Sequence, residues 1–366
     1  MIAFRNLIVR TLVLAAGMLA LASSARAEPG AVYTLGNAVD ANRVLVFSRN
    51  AHGGLDPAMS YPTGGKGTGA GLGSQGALTL TDDGRWLLAV NAGSNSLSVF
   101  SVHKHSLVLT DVVASGGFNP ISVTVADNLV YVLNAGGAAG SSDNISGFYL
   151  SERGQLIALP RSTQPLSGAN VAPAQVSFGL RGDVLVVTEK ATSRVDTFTV
   201  DENGRAGPII STPSSGSTPF GFAISSKGYA FVSEAASSAL SSYRLQRDAA
   251  VALVTGSLIN HQAAACWTVL SKNEKYAYTA NAASNTISGF RVASNGTLTL
   301  LSQAGLTAVT DDHPIDMAVS NNGRFLYSLN SNSRTLVAFA VAEDGSLSRV
   351  ASIGDLPAAV AGLAAR

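Results

Sequence analysis

Residues 82–100 read DDGRWLLAVNAGSNSLSVF, and residues 321–339 read NNGRFLYSLNSNSRTLVAF. Both lines have a polar turn, a short apolar strand ending in Asn, a loop of small polar residues and a second apolar strand ending in Phe. Five further lines keep the plan: VYTLGN ending at Asn37, LVYVLN at Asn134, VLVVTE at Glu189, YAFVSE at Glu234 and YAYTAN at Asn281. With Asn91 and Asn330 these make seven anchor residues. The aromatic that closes the next strand is Phe47, Phe100, Phe148, Phe198, Tyr243, Phe290 or Phe339 in turn. Anchor and aromatic stand nine residues apart in five lines, ten in the first and fourteen in the third, where AGGAAGSSDN lengthens the loop. Such agreement marks a repeat array, and Asn37 to Asn330 spans six periods of about 49 residues, a propeller-blade length.

Each full unit begins with an apolar run such as GALTLT (Gly76 to Thr81) and carries a second polar turn such as ENGR at Glu202 or EDGS at Glu343. Period-two alternation, β-branched and aromatic content, and Gly/Asn/Asp turns predict four strands per unit. The expected fold is all-β: a seven-bladed β-propeller of four-stranded antiparallel blades, residues 28–366 forming one domain. The first unit lacks an innermost strand, and PAAVAGLAA (Pro357 to Ala365) has the composition to supply one. Residues 357–365 are therefore expected to pair into the first blade and close the ring, leaving no open sheet edge.

The rest of the composition narrows the class. Of 366 residues, 46% are apolar and 13% charged, with 37 Gly and a net charge of +1. No basic field exists to hold a phosphate backbone, so nucleic acid is not an expected partner. One Cys forms no internal disulfide, and no zinc or calcium spacing is present; neither a cofactor nor a metal is expected. Arg5 and Arg10, the apolar run Thr11 to Ala22, and Ala25-Arg26-Ala27 follow the order of a secretory signal peptide. Its twelve apolar residues fall short of the ~20 that span a bilayer. Residues 1–27 are expected to be removed, giving a periplasmic or secreted protein with no membrane span. The mature chain keeps 21 basic against 23 acidic residues, since Arg5, Arg10 and Arg26 leave with the signal.

Chain direction places the anchors and the entries of the innermost strands at one mouth of the central channel. This mouth is expected to collect Gln75, Asn91, Asn119, Asn134, Gln175, Glu189, Lys190, Glu234, His261, Gln262, Asn281, His313 and Asn330, with His52, His103 and His105 on the opposite face. A concave mouth with convergent polar groups is where a small molecule or another protein binds. Glu189 and Glu234 stand where five siblings carry Asn; a carboxylate there could act as a general base or bind a cation, or bond the neighbouring loop as Asn does. Lys190 could pair with Glu189. His261 and His313 enter consecutive blades, with Asp311 and Asp312 beside His313; a metal site could be drawn from these, but a His bonded to a loop carbonyl is the plainer reading. Cys266, followed by Trp267, is expected to be buried and inert. The stretch GGKGTGAGLG (Gly64 to Gly73) lacks a phosphate-loop ending and a following helix, and reads as a link between blades 1 and 2 that could act as a lid.

The lines DDGRWLLAVNAGSNSLSVF, RGDVLVVTEKATSRVDTF and NNGRFLYSLNSNSRTLVAF resemble the lactonase family of seven-bladed propellers, the 6-phosphogluconolactonase and carboxymuconate-lactonising type. The resemblance covers nearly the whole mature chain. It implies a site built from a His opening one innermost strand, a Gly-Pro-Arg-His segment, an Asn-Glu after it and an Asn-Arg-Gly in a later blade. Here the first region reads FNPISV from Phe118, without the His. The second reads APAQ (Ala172 to Gln175), without Arg or His; the third is Thr188-Glu189; the fourth is Asn281-Ala282-Ala283, without the Arg. Sites for anionic lactones need cations for the substrate charge and the oxyanion. The resemblance thus implies either a hydrolase for a lactone or similar cyclic ester, with Glu189 as general base, or a non-catalytic propeller that binds a ligand or protein at the mouth.

Overall fold

A computed structural model describes residues 30–104, 106–136 and 142–366. The expected signal segment, His105 and the centre of the long third-unit loop lie outside the described residues. Seven antiparallel sheets follow one another around a ring. In blade 2 the strands Leu78–Leu80, Trp86–Asn91, Ser96–Val102 and Leu107–Ala114 pair in sequence order from the centre outward. Blades 4, 5 and 7 repeat that order, while in blades 3 and 6 the outermost strand is split into two short pieces on the third strand. Blade 1 draws its innermost strand from the far end of the chain, Ala361–Ala365, which pairs antiparallel with Gly30–Leu35. The closing strand is shorter than 357–365, for Pro357 to Val360 form a turn into it.

The seven repeated aromatics are the structural cause of the period. Phe47, Phe100, Phe148, Phe198, Tyr243, Phe290 and Phe339 are all buried, each on the third strand of its blade. They pack with the Val, Leu and Ala of second strands, so the core is a chain of apolar clusters around the ring, shared between neighbouring blades. Tyrosines add directional ties: Tyr131 Oη donates to Gly204 O (2.8 Å) and accepts from Ala206 N (2.7 Å) in the next blade. Tyr278 Oη likewise donates to Gly345 O (2.9 Å).

The first residue of an innermost strand lies opposite the anchor: Pro120 pairs with Asn134, Pro173 with Glu189, Pro219 with Glu234, Ala265 with Asn281 and Pro314 with Asn330. The register shifts immediately after each of these pairs. Proline is suited to a strand's first position because it has no N–H to lose from the ladder. This arrangement brings anchors and strand entries to one face, hereafter the upper face. No helix among the described residues is long and apolar enough to cross a membrane.

Candidate functional site

All seven anchors are buried, and their polar atoms turn into the blade walls. Asn91 Nδ2 donates to Ser98 Oγ (2.7 Å) on the third strand, and its Oδ1 accepts from Asn42 Nδ2 (3.0 Å). Asn281 repeats this with Ser288 and Asn260, at 2.9 and 2.8 Å. Asn134 donates to Asn144 Oδ1, and Asn330 to Thr335 Oγ1. Asn37 instead holds the Gly-rich link, donating to Ala70 O (2.6 Å) and accepting from Thr68 N. At Asn91 and Asn281 a side-chain amide, with one donor group and one acceptor, serves a strand hydroxyl and a neighbouring loop together.

Glu189 and Glu234 do the same work with a longer reach. Glu234 accepts from Gly216 N (2.8 Å), Ser241 Oγ (2.6 Å) and Ser257 Oγ (2.6 Å). Glu189 accepts from Ser167 N (2.9 Å), from Ser167 Oγ (2.5 Å) and from Thr192 Oγ1. Burial pushes its carboxyl up, but hydrogen bonds from Asp196, Ser167 and Thr192 outweigh this and hold it below the usual glutamate range. Asp196 is the other half of that pair: burial, and then the Glu189 carboxylate, raise it to about 8. Near neutral pH, Asp196 therefore keeps a proton that it shares with ionised Glu189. Lys190 makes no ion pair with Glu189. Its Nζ donates to Gly73 O (2.5 Å) and lies 4.8 Å from the centre of the Phe220 ring.

The channel is closed by a plug, Gly73 to Gln75, that runs across its axis. Lys190 of blade 4 holds the Gly73 carbonyl, and Trp267 Nε1 of blade 6 donates to Ser74 O (2.9 Å). Ser74 Oγ donates to Ile121 O (2.8 Å) of blade 3, and Gln75 N to Ala174 O (3.0 Å) of blade 4. The Gln75 side chain continues to the far wall: Nε2 donates to Thr268 O (2.7 Å) and Oε1 accepts from Thr268 N (3.0 Å). It pairs with blade 6 as a strand would. Gln175 makes the same two-bond clasp with Phe222 of the next blade. At the corresponding position of blade 5 stands Gly221, and a Cβ there would overlap Gln75 Oε1. Gly221 is the gap through which Gln75 reaches Thr268.

Above the plug lies a cavity of about 410 Å³, lined by the link end Gly71 to Ser74, by Trp267, His313, Ile315, Ser331 and Asn332, and by the turn into the closing strand. His313 is the titratable side chain in it, and no hydrogen bond of its ring is found among the described residues. Its backbone is left-handed (φ 58°), as at the equivalent entries Asn119, Ala172, Thr218 and Ala264, so this conformation belongs to the fold. His261 is exposed and outside the cavity lining. Gln262 is tied to Ala304 O, and Asp311 to Arg349 at 2.7 Å. Among the described residues no group of three or more His, Cys, Asp or Glu is placed to hold a metal ion. Cys266 is buried, and burial raises its thiol to about 12, so it stays protonated. Burial also lowers Lys190, an effect that Cys266 opposes. Gln75 and His313 were both named for the mouth, but the crossing of Gly73 to Gln75 between blades and the unbonded His313 ring among the described residues were not legible.

The family model "Lactonase, 7-bladed beta-propeller" matches residues 40–164 and 250–361, well over half of the chain. A periplasmic gluconolactonase of Pseudomonas aeruginosa, PpgL, superposes with a TM-score of 0.74 at 16% identity, covering 92% of this chain and 98% of that one. A proposed 6-phosphogluconolactonase of Bacteroides uniformis gives 0.73 at 19% identity, over 90% and 98%. One from Bacteroides fragilis gives 0.68 at 19%, over 92% and 98%. At such identities these structures speak for the fold alone. No curated protein matches the chain.

Proposed function

The chain belongs to the lactonase family of seven-bladed β-propellers, and on that premise we propose that it is an exported protein that binds a neutral lactone, or similar cyclic ester, in the upper cavity and hydrolyses it. The observation that carries this reading is the cavity itself, with the unengaged imidazole of His313 in its wall. A histidine can take a proton from water near neutral pH and return it to the leaving alkoxide. Hydrolysis balances simply: water adds to the ring carbonyl, the ring C–O bond breaks, and the product is a hydroxy acid.

Glu189 is the other candidate base. Its carboxylate already accepts three bonds and faces the protonated Asp196, so it reaches water only if that cluster opens. We therefore assign the proton transfer to His313 and a wall-building role to Glu189. Gln75, Asn91, Asn134, Gln175, Glu234, Asn281 and Asn330 shape the mouth by the bonds already described. Lys190 sets the plug and places one positive charge behind it. Loss of the family's arginines disfavours anionic lactones, and export follows from the signal pattern and suits a relative that is itself periplasmic.

One observation favours a second reading, a binding propeller without turnover: both carboxylates of the anchor ring are saturated by serine, threonine and backbone donors. Hydrolysis of neutral δ-lactones followed by pH-stat separates the readings. The hydrolase reading expects turnover that falls about a hundredfold or more in His313→Gln, the lower end for a general base, and less than tenfold in Glu189→Gln. A loss confined to Glu189→Gln in a folded protein returns the base to Glu189. No turnover by the parent protein leaves the binding reading.

A further inference from the structure

Below the plug, with Gln75 in its lining, is a second cavity. It measures about 320 Å³ and is lined by the lower ends of three innermost strands and the turns that follow them. From the plug outward, blade 6 contributes Thr268, Val269 and Leu270, and then Lys272 in its turn. Phe222 and Ala223 of blade 5 and Val319 of blade 7 form the other walls, and Asn321 stands with Lys272 on the turns. The cavity therefore grades from apolar walls to a polar, cationic rim.

The rim points to an occupant. At the outer end, Lys272 is exposed and is bound to no carboxylate among the described residues. On the same turn Glu274 is engaged, accepting from Ser226 N and Oγ. The volume equals the share of about ten water molecules, room for on the order of ten non-hydrogen atoms.

We propose that the lower half of the channel is a second binding site, for a medium-chain aliphatic monocarboxylate. The chain lies among Phe222, Ala223, Val269, Leu270 and Val319, and the carboxylate meets the Lys272 ammonium at the rim. This site is independent of the upper cavity and of any hydrolysis there.

Octanoate, with ten non-hydrogen atoms, is the probe. Calorimetric titration into the mature protein is expected to show saturable binding at one site. Lys272→Gln weakens it about fivefold, the upper range for an exposed ion pair, and Lys272→Glu weakens it further by repulsion. Ala223→Trp fills the cavity and removes binding. Gly71→Trp, which obstructs the upper cavity, leaves octanoate affinity unchanged. The proposal is overturned if the folded parent shows no saturable binding. It is equally overturned if Lys272→Glu binds as the parent does, or if Gly71→Trp rather than a lower-cavity change removes binding. The Lys272 variants alter an exposed side chain, so they decide the matter even if Ala223→Trp does not fold.

Discussion

Gln75 ties blade 2 to blade 6 across the channel, and its removal tests whether the plug holds the ring. Gln75→Ala strips Thr268 N and Thr268 O of their partners at once. Each buried backbone group so exposed costs about 1–3 kcal/mol. The adjoining lower cavity lets water reach them, which favours the low end, about 2 kcal/mol in total. A chain of this size loses about 2 °C per kcal/mol, so the expected drop is about 4 °C. Gln75→Glu adds a sign. Its ionised form still accepts from Thr268 N but presents a second oxygen to Thr268 O, whereas its protonated form restores the donor. The folded pKa must therefore rise above the ordinary glutamate value of ~4.3. The stabilising contact is fully present below that value and is lost as pH rises through the folded pKa. Thermal melts by circular dichroism at pH 4, 6 and 8, each referred to the parent protein, read both effects. The glutamate variant should approach the parent at pH 4 and fall below the alanine variant at pH 8. Gly221→Ala should mimic Gln75→Ala, and the two together should cost much less than their sum, because both remove one contact. A melting point within 1 °C of the parent for Gln75→Ala, with no pH trend for Gln75→Glu, would refute the reasoning.

Further expectations follow from the ties between blades and from the buried acid pair. Tyr131→Phe leaves Gly204 O and Ala206 N unbonded, and should lower stability by about 2 kcal/mol in chemical unfolding, with little change in the fold seen by far-ultraviolet dichroism. Asp196→Asn keeps a donor for Glu189 without a titrating proton. Asp196 is raised to about 8 in the folded protein, so the parent should lose stability as pH rises from about 4 to 8, where the unfolded chain has released this proton and the folded protein still holds it. The variant should flatten this fall and melt higher than the parent at pH 8 to 9; an unchanged pH profile counts against the shared proton.

The repeat was legible because it is written in local, strong signals. Each aromatic nine residues past its anchor is a buried packing residue, and each Asn-Gly or Asp-Gly turn is a short-range instruction, so blade number, strand order and closure could all be read. The closing strand was read too long because PAAV and AGLAA have the same small-apolar composition, and only the ladder distinguishes them. The candidate site was less legible. Asn91 and Asn281 were assigned to the mouth, and the structure buries both in the blade walls, because the sequence does not say which way an amide points. Their partners, Asn42 and Asn260, belong to loops whose approach is set by the ring. Gln75 and Thr268 stand 193 residues apart, and nothing local joins them. Gly221 carried a signal, since it stands at the strand position held by Ser122, Gln175, Trp267 and Asp316 in other blades. Its meaning needed the side chain that fills the gap.

The central claim is that the upper cavity above the plug holds a cyclic ester. Binding of δ-valerolactam, a slowly hydrolysed stand-in for the lactone, tests it whether or not the protein turns a lactone over. Gly71 lines the cavity, and a Cβ there meets nothing within 4 Å, so Gly71→Trp can obstruct the cavity without straining the backbone. Calorimetric titration should show saturable lactam binding to the parent and none to Gly71→Trp. Equal binding to both proteins, or none to the parent, would contradict the account.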